Sequence, residues 1–190
     1  IAVAFHQVTG KVLQVYKPRD GGEAVLDVCT NEGALFTACG RKPGADKEGP
    51  VACFLRKFDV ETGKHDMTLE GHQDIVTSCS VVDRCVILTG SHDCTARLWD
   101  VRTGSCERVL KNCTKPILTA CGDASRNVIF AAGQEKGVRC WEYGSGLPIM
   151  SLKGHQDEVH AICLGGSSLY AAGAEGLVRV YSIAGLAERG

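Results

Sequence analysis

Short apolar runs, broken by polar or glycine-containing turns, recur along the whole chain. Between residues 75 and 110 four such runs follow one another, at 75–81, 85–90, 95–100 and 105–110, each rich in Val, Ile, Thr and Leu. The breaks carry Asp83, then Ser91-His92-Asp93, then Thr103-Gly104. Runs of this length bounded by turn residues predict β-strands. No window of 11–18 residues shows the 3.6-residue apolar period of an amphipathic helix. The pattern predicts an all-β chain.

The runs belong to an internal repeat. Phe5, Phe58, Trp99 and Trp141 are each followed five residues later by a glycine, at Gly10, Gly63, Gly104 and Gly146. A fifth copy, Tyr181-Ser182-Ile183, keeps the aromatic without the turn. The aromatic spacings are 53, 41, 42 and 40 residues. Gly71-His72-Gln73-Asp74 returns as Gly154-His155-Gln156-Asp157, and Cys29, Cys79, Cys121 and Cys163 recur at spacings of 50, 42 and 42. Ala131-Ala132-Gly133-x-Glu135 is echoed by Ala171-Ala172-Gly173-x-Glu175, and both lead into Val-Arg-x-aromatic.

Four strands every ~40–45 residues, with Gly-His early and Trp-Asp late, resemble the WD40 repeat. The resemblance covers nearly the whole chain and is sharpest at 71–100. It implies a β-propeller of radially packed four-stranded blades. At ~42 residues per repeat the chain holds about four and a half blades, against about seven usual in that family. The expected division is a partial blade at 1–16, a repeat at 17–70 with an insertion at 41–50, the best-matching repeat at 71–110, a degenerate repeat at 111–153 and an incomplete one at 154–190. The chain opens at Ile1 within a third strand and closes after another third strand, near Ile183. The expectation is therefore a partial propeller whose partners include further blades of its own full-length chain.

The resemblance also implies a buried hydrogen-bonded tetrad of His72, Thr89, Asp93 and Trp99, in which a carboxylate fixes the imidazole, the imidazole meets a hydroxyl and the hydroxyl meets an indole N–H. The other repeats depart from it. The third has Asn112-Cys113 in place of Gly-His, with Glu135 near the Asp position. The last keeps His155 but has Glu175 and Tyr181, with Ala172 at the hydroxyl position. The repeat ending at Phe58 has neither element. Those three are expected to depend on apolar packing.

Composition narrows the function. Lys+Arg total 21 and Asp+Glu 22, a net charge of −1, which argues against a nucleic-acid partner. No run of ~18 apolar residues can span a membrane as a helix, and no signal peptide is visible in residues 1–20. Eleven cysteines with no C-x-x-C pair suit reduced thiols in a cytoplasmic protein, with a nuclear one also compatible. The nucleophile elbow, P-loop and H-E-x-x-H motifs are all absent, so a non-enzyme without cofactor or metal is expected. Strands in different blades are expected to hold Cys29, Cys79, Cys121 and Cys163 too far apart to share a zinc. Cys94 and Cys113, in predicted turns, are the better candidates for oxidation.

The function expected is a protein-protein interaction scaffold presenting loops to protein or peptide partners. The resemblance places the binding face at the Gly-His loops, where Arg41, Lys42, Lys47, His92, Lys115, Gln134 and Lys136 fall, with Cys94 beside them. The alternative is a substrate receptor or adaptor of a cullin-type ubiquitin ligase. Trp99-Asp100-Val101-Arg102 matches a W-D-x-R motif that would make Arg102 the adaptor contact.

Overall fold

The computed structural model describes residues 2–5, 12–16, 23–41 and 53–186. Strands β1 (Ala2–Phe5) and β2 (Val12–Tyr16) form an antiparallel pair. Blade I comprises β3 (Glu23–Asn31), β4 (Ala34–Arg41), β5 (Cys53–Asp59) and β6 (His65–Glu70). Blade II comprises β7 (Val76–Asp83), β8 (Val86–Ser91), β9 (Ala96–Asp100) and β10 (Cys106–Leu110). Blade III comprises β11 (Ile117–Asp123), β12 (Val128–Gly133), β13 (Gly137–Glu142) and β14 (Pro148–Lys153). Blade IV comprises β15 (Val159–Gly165), β16 (Ser168–Gly173) and β17 (Val178–Ser182). Each sheet is an antiparallel meander paired in chain order. One turn of 3-10 helix, Ala124–Arg126, joins β11 to β12. The strands of blade II begin and end within two residues of the runs read from the sequence.

The core lies between blades. One cluster joins Phe36, Ala38, Leu55 and Leu69 of blade I to Val76, Cys79, Ile87 and Trp99 of blade II. A second joins Leu88, Leu98 and Leu110 to Ile117, Ile129 and Trp141 of blade III. A third joins Phe130, Val138 and Cys140 to Val159, Ile162 and Leu169 of blade IV. Sheets stacked face to face in series are the radial packing of a propeller. This explains the sequence pattern strand by strand. Every residue of β8 and β12 is buried, because these strands are covered on both faces. The outer strand β10 alternates instead, as expected where one face meets solvent.

Polar stitches close the seams. Asp27 Oδ2 accepts the Cys79 N–H at 2.9 Å, and Thr119 Oγ1 accepts the Ile162 N–H at 3.3 Å. Thr77 Oγ1 donates to the Ile117 carbonyl at 2.8 Å. Edge-strand groups of an inner strand, which have no ladder partner, are thus met by the preceding blade. The aromatic-plus-five glycines share one turn. Gly63, Gly104 and Gly146 adopt φ of 67°, 75° and 71°, and their N–H groups bond the carbonyls of Asp59, Asp100 and Glu142 at 2.9, 2.8 and 2.7 Å. That left-handed conformation is one glycine adopts without steric cost.

Strand register breaks the cysteine column. Cys29, Cys121 and Cys163 stand opposite the aromatics Phe36, Phe130 and Tyr170. Cys79 stands opposite Thr89, and Ser80 takes the place the column predicts. A one-residue shift turns a side chain to the other face of its strand. Cys79 therefore points back at blade I, into the cluster against which Cys29 packs. Cys29 and Cys79 thus face one seam, whereas the sequence column placed them alike on their blades. Among the described residues no group of three or more His, Cys, Asp or Glu is placed to hold a metal ion.

Candidate functional site

In an antiparallel meander every second connection lies at the same end of the sheet. The loops β6–β7, β8–β9, β10–β11, β12–β13, β14–β15 and β16–β17 therefore share one end of the blades, here called the upper face.

The loops of blade II are tied down by one buried network. Asp93 Oδ2 lies 2.8 Å from His72 Nδ1 and accepts the Gln73 N–H at 3.0 Å. Its other oxygen accepts the Thr95 N–H at 2.9 Å and the Thr95 hydroxyl at 2.6 Å. His72 Nε2 lies 2.7 Å from Thr89 Oγ1, which accepts the Trp99 indole N–H at 2.8 Å. With Asp93 accepting from Nδ1–H, Nε2 is the acceptor, and the Thr89 hydroxyl donates to it. Burial alone raises the Asp93 pKa. The hydrogen bonds from His72, Thr95 and Gln73 outweigh it and hold the carboxyl well below the usual carboxylate range.

A main-chain pattern repeats beside each network. The first residue of each β8–β9-type turn donates its N–H to the preceding loop. His92 bonds the Ile75 carbonyl at 2.9 Å, Gln134 bonds Pro116 at 3.0 Å, and Ala174 bonds Glu158 at 2.8 Å. His92 and Gln134 are thereby fixed at equivalent positions of blades II and III. Lys115 and Lys136 are exposed beside Gln134. Arg41 ends β4 in the connection to β5, at the same face. Lys42 and Lys47 lie outside the described residues.

Comparison with known proteins identifies the repeat. A WD40 model (WD domain, G-beta repeat) matches residues 63–100 and 146–182, the stretches that carry His72 and His155. Those two stretches are WD40 repeats. It is 30% identical over 125 residues to the DENN domain and WD repeat-containing protein SCD1 of Arabidopsis thaliana, covering 66% of this chain and 10% of that protein. It is 29% identical over 165 residues to THO complex subunit 6 of Arabidopsis thaliana, covering 84% of this chain and 41% of that one. The chain thus spans less than half the length of either curated relative. The crystal structure of the computationally designed Ika4 protein shares the fold, with a TM-score of 0.73 and 20% identity over 90% of this chain and 98% of that one. WD40 domains generally bind other proteins, and their propeller is generally a non-enzymatic scaffold.

The degenerate WD40 repeats contain more than apolar packing, which corrects the expectation for blades III and IV. In blade III Glu135 accepts the Thr114 N–H at 2.5 Å and its hydroxyl at 2.7 Å, and Arg139 donates to it at 2.8 Å. The Trp141 indole N–H, with no threonine to meet, bonds the Lys111 carbonyl at 3.0 Å. In blade IV His155 Nδ1 lies 2.7 Å from Glu175 Oε1, and Tyr181 donates to the Lys153 carbonyl at 3.3 Å. His155 Nε2 is buried without a hydrogen-bond partner. Register also corrects the missing hydroxyl position. Thr89 stands opposite Arg97, and its equivalent opposite Arg179 is Ala171, not Ala172.

Arg102 sits at the opposite end of blade II, in the β9–β10 turn of its WD40 repeat. Its guanidinium grips Asp100, with Nη2 at 2.6 Å and Nε at 3.1 Å, while remaining 69% exposed. Those bonds and the Arg102 N–H draw the Asp100 carboxyl down to about 2. The turn cysteines Cys94 and Cys113 are half-buried. Burial pushes the Cys113 thiol up to about 12, with Glu135 adding to the effect. Burial and then Asp93, Glu135 and Asp74 raise Cys94.

Sequence reasoning missed the seam stitches of Asp27, Thr77 and Thr119. The only available signal was a polar residue two positions before Cys29, Cys79 and Cys121 in the sequence; by strand register Asp27 and Thr119 are equivalent, while Thr77 falls on the bulge between Val76 and Ser78.

Proposed function

We propose that the chain is a rigid display scaffold whose upper face, around His92, Lys115, Gln134 and Lys136, receives protein or peptide partners. The observation that carries this reading is the double anchoring of the upper turns. Their side chains hang from backbone already bonded to the neighbouring loop and, in blade II, to the Asp93 carboxylate. A surface ordered before contact loses less conformational entropy on binding. The test compares two charge-altered chains in affinity capture. One carries His92→Ala, Lys115→Glu and Lys136→Glu, and the other carries Lys64→Glu and Arg102→Glu at the opposite end. With unchanged unfolding midpoints, the first set loses bound partners at least about tenfold and the second retains them. Retention by the first and loss by the second overturns the reading.

A second partner surface rests on its own observation. Val138 and Cys140 of β13 are 0% and 1% exposed beneath blade IV, whereas the matching Val178 and Val180 of β17 are 66% and 59% exposed. The reading is that a further blade covers this face as blade IV covers β13.

A further inference from the structure

The seam between blades I and II holds two thiols at aligned inner-strand positions, whereas the other described seams do not. Aligned by register, each seam sets one forward-pointing inner-strand residue of one blade near one backward-pointing residue of the next. At the blade II–III seam these are Ser80 and Ala120, and at the blade III–IV seam Cys121 and Ile162. At the blade I–II seam they are Cys29 and Cys79, two thiols. Cys29 packs against the cluster that contains Cys79. The Cys79 sulfur lies 3.9 Å from the carbonyl of Phe36, the cross-strand partner of Cys29. The Cys79 N–H is held by Asp27, two residues before Cys29. Both cysteines are reduced in this structure. Cys29 is half-buried and Cys79 fully buried, so a small oxidant meets Cys29 first.

We propose that Cys29 and Cys79 are a peroxide-responsive thiol pair that closes into a disulfide stapling blade I to blade II. The Cys29 sulfur attacks one oxygen of hydrogen peroxide. The O–O bond breaks, one water leaves with the thiol proton, and Cys29 becomes a sulfenic acid. The Cys79 sulfur then attacks the Cys29 sulfur. The S–O bond breaks, and the hydroxyl leaves as a second water with the Cys79 proton. Two thiols are oxidised and one peroxide is reduced to two waters. The second step is intramolecular and excludes bulk thiols, because Cys79 lies within the seam. The raised pKa of Cys79, caused first by the Cys29 contact and then by burial, slows closure without removing the partner. The register shift of β7 is what makes the pair. With Cys79 in the column, its side chain would face away from Cys29, as Cys163 faces away from Cys121.

The test exposes the whole chain to hydrogen peroxide, quenches with catalase, alkylates the remaining thiols and maps the peptides. The expected product is a Cys29–Cys79 cross-link, two hydrogens lighter and two alkylated thiols fewer, reversed by dithiothreitol. The oxidised chain unfolds at a higher temperature than the reduced one. Cys29→Ser, at a half-buried position that tolerates a hydroxyl, abolishes both the cross-link and the shift, whereas Cys121→Ser abolishes neither. Oxidation of Cys29 to sulfinic acid without cross-linking, a disulfide joining a different pair, or no reaction at either thiol in the folded chain overturns the proposal.

Discussion

The Thr89 hydroxyl accepts the Trp99 indole N–H at 2.8 Å while lying 2.7 Å from His72 Nε2, so one oxygen serves two buried rings. Thr89→Val keeps the shape and removes that oxygen. Two buried polar atoms then lose their partner, and each such loss costs about 1–3 kcal/mol. The expected loss is about 2–6 kcal/mol for the pair, read as a lower urea midpoint with an unchanged slope.

The orphan in blade IV predicts a gain. Ala171→Ser places a hydroxyl at the position of Thr89, within reach of the unpartnered His155 Nε2. Stabilisation of about 1 kcal/mol is expected, whereas Ala172→Ser, one register place away, gives none. Equal midpoints for the two variants would show that the register assignment does not govern this site.

Asp93 sets an acid limit. Its folded pKa is depressed by its hydrogen bonds, so the stability it contributes is present above the unfolded value of about 4 and is lost as pH falls below it. Glu135, Glu175 and Asp100 are depressed as well and act in the same direction. The gap in urea midpoint between the wild-type chain and Asp93→Asn is expected to be widest near neutral pH and to shrink between about pH 4 and pH 2. A gap independent of pH would contradict the assignment of the carboxylate form.

Much of this was legible in the sequence. The Trp-Asp and Gly-His columns and the glycine five residues after each aromatic could be read from period and residue type, because each depends on local turn geometry repeated at a fixed spacing, whereas the four residues of the tetrad followed from the resemblance to the WD40 repeat. The seam contacts could not. Whether Cys79 faces Cys29 depends on a single bulge in β7, and Ala171 differs from Ala172 only by the side of the strand it faces. Periodicity in sequence is blind to a one-residue shift in pairing, which reverses every side chain beyond it. The clamps of Glu135 and Glu175 were half visible. Their carboxylates fall near the tight-turn position, but their partners, Thr114 and His155, come from loops about 20 residues earlier (21 and 20).

The exposed face of β17 predicts association behaviour. Val178→Lys with Val180→Lys charges a surface that in blade III is buried. The substituted chain is expected to keep its unfolding midpoint and to lose concentration-dependent self-association in sedimentation velocity. A lower midpoint would show that these valines already pack within the chain.

Rigid display is tested most directly by amide hydrogen exchange at His92, Gln134 and Ala174, whose N–H groups bond the preceding loops at 2.9, 3.0 and 2.8 Å. All three are expected to exchange as slowly as the amides of β8 and β12. In Thr89→Val, His92 alone is expected to speed up. Exchange at unstructured-chain rates for these amides in the folded protein would contradict a pre-ordered upper face.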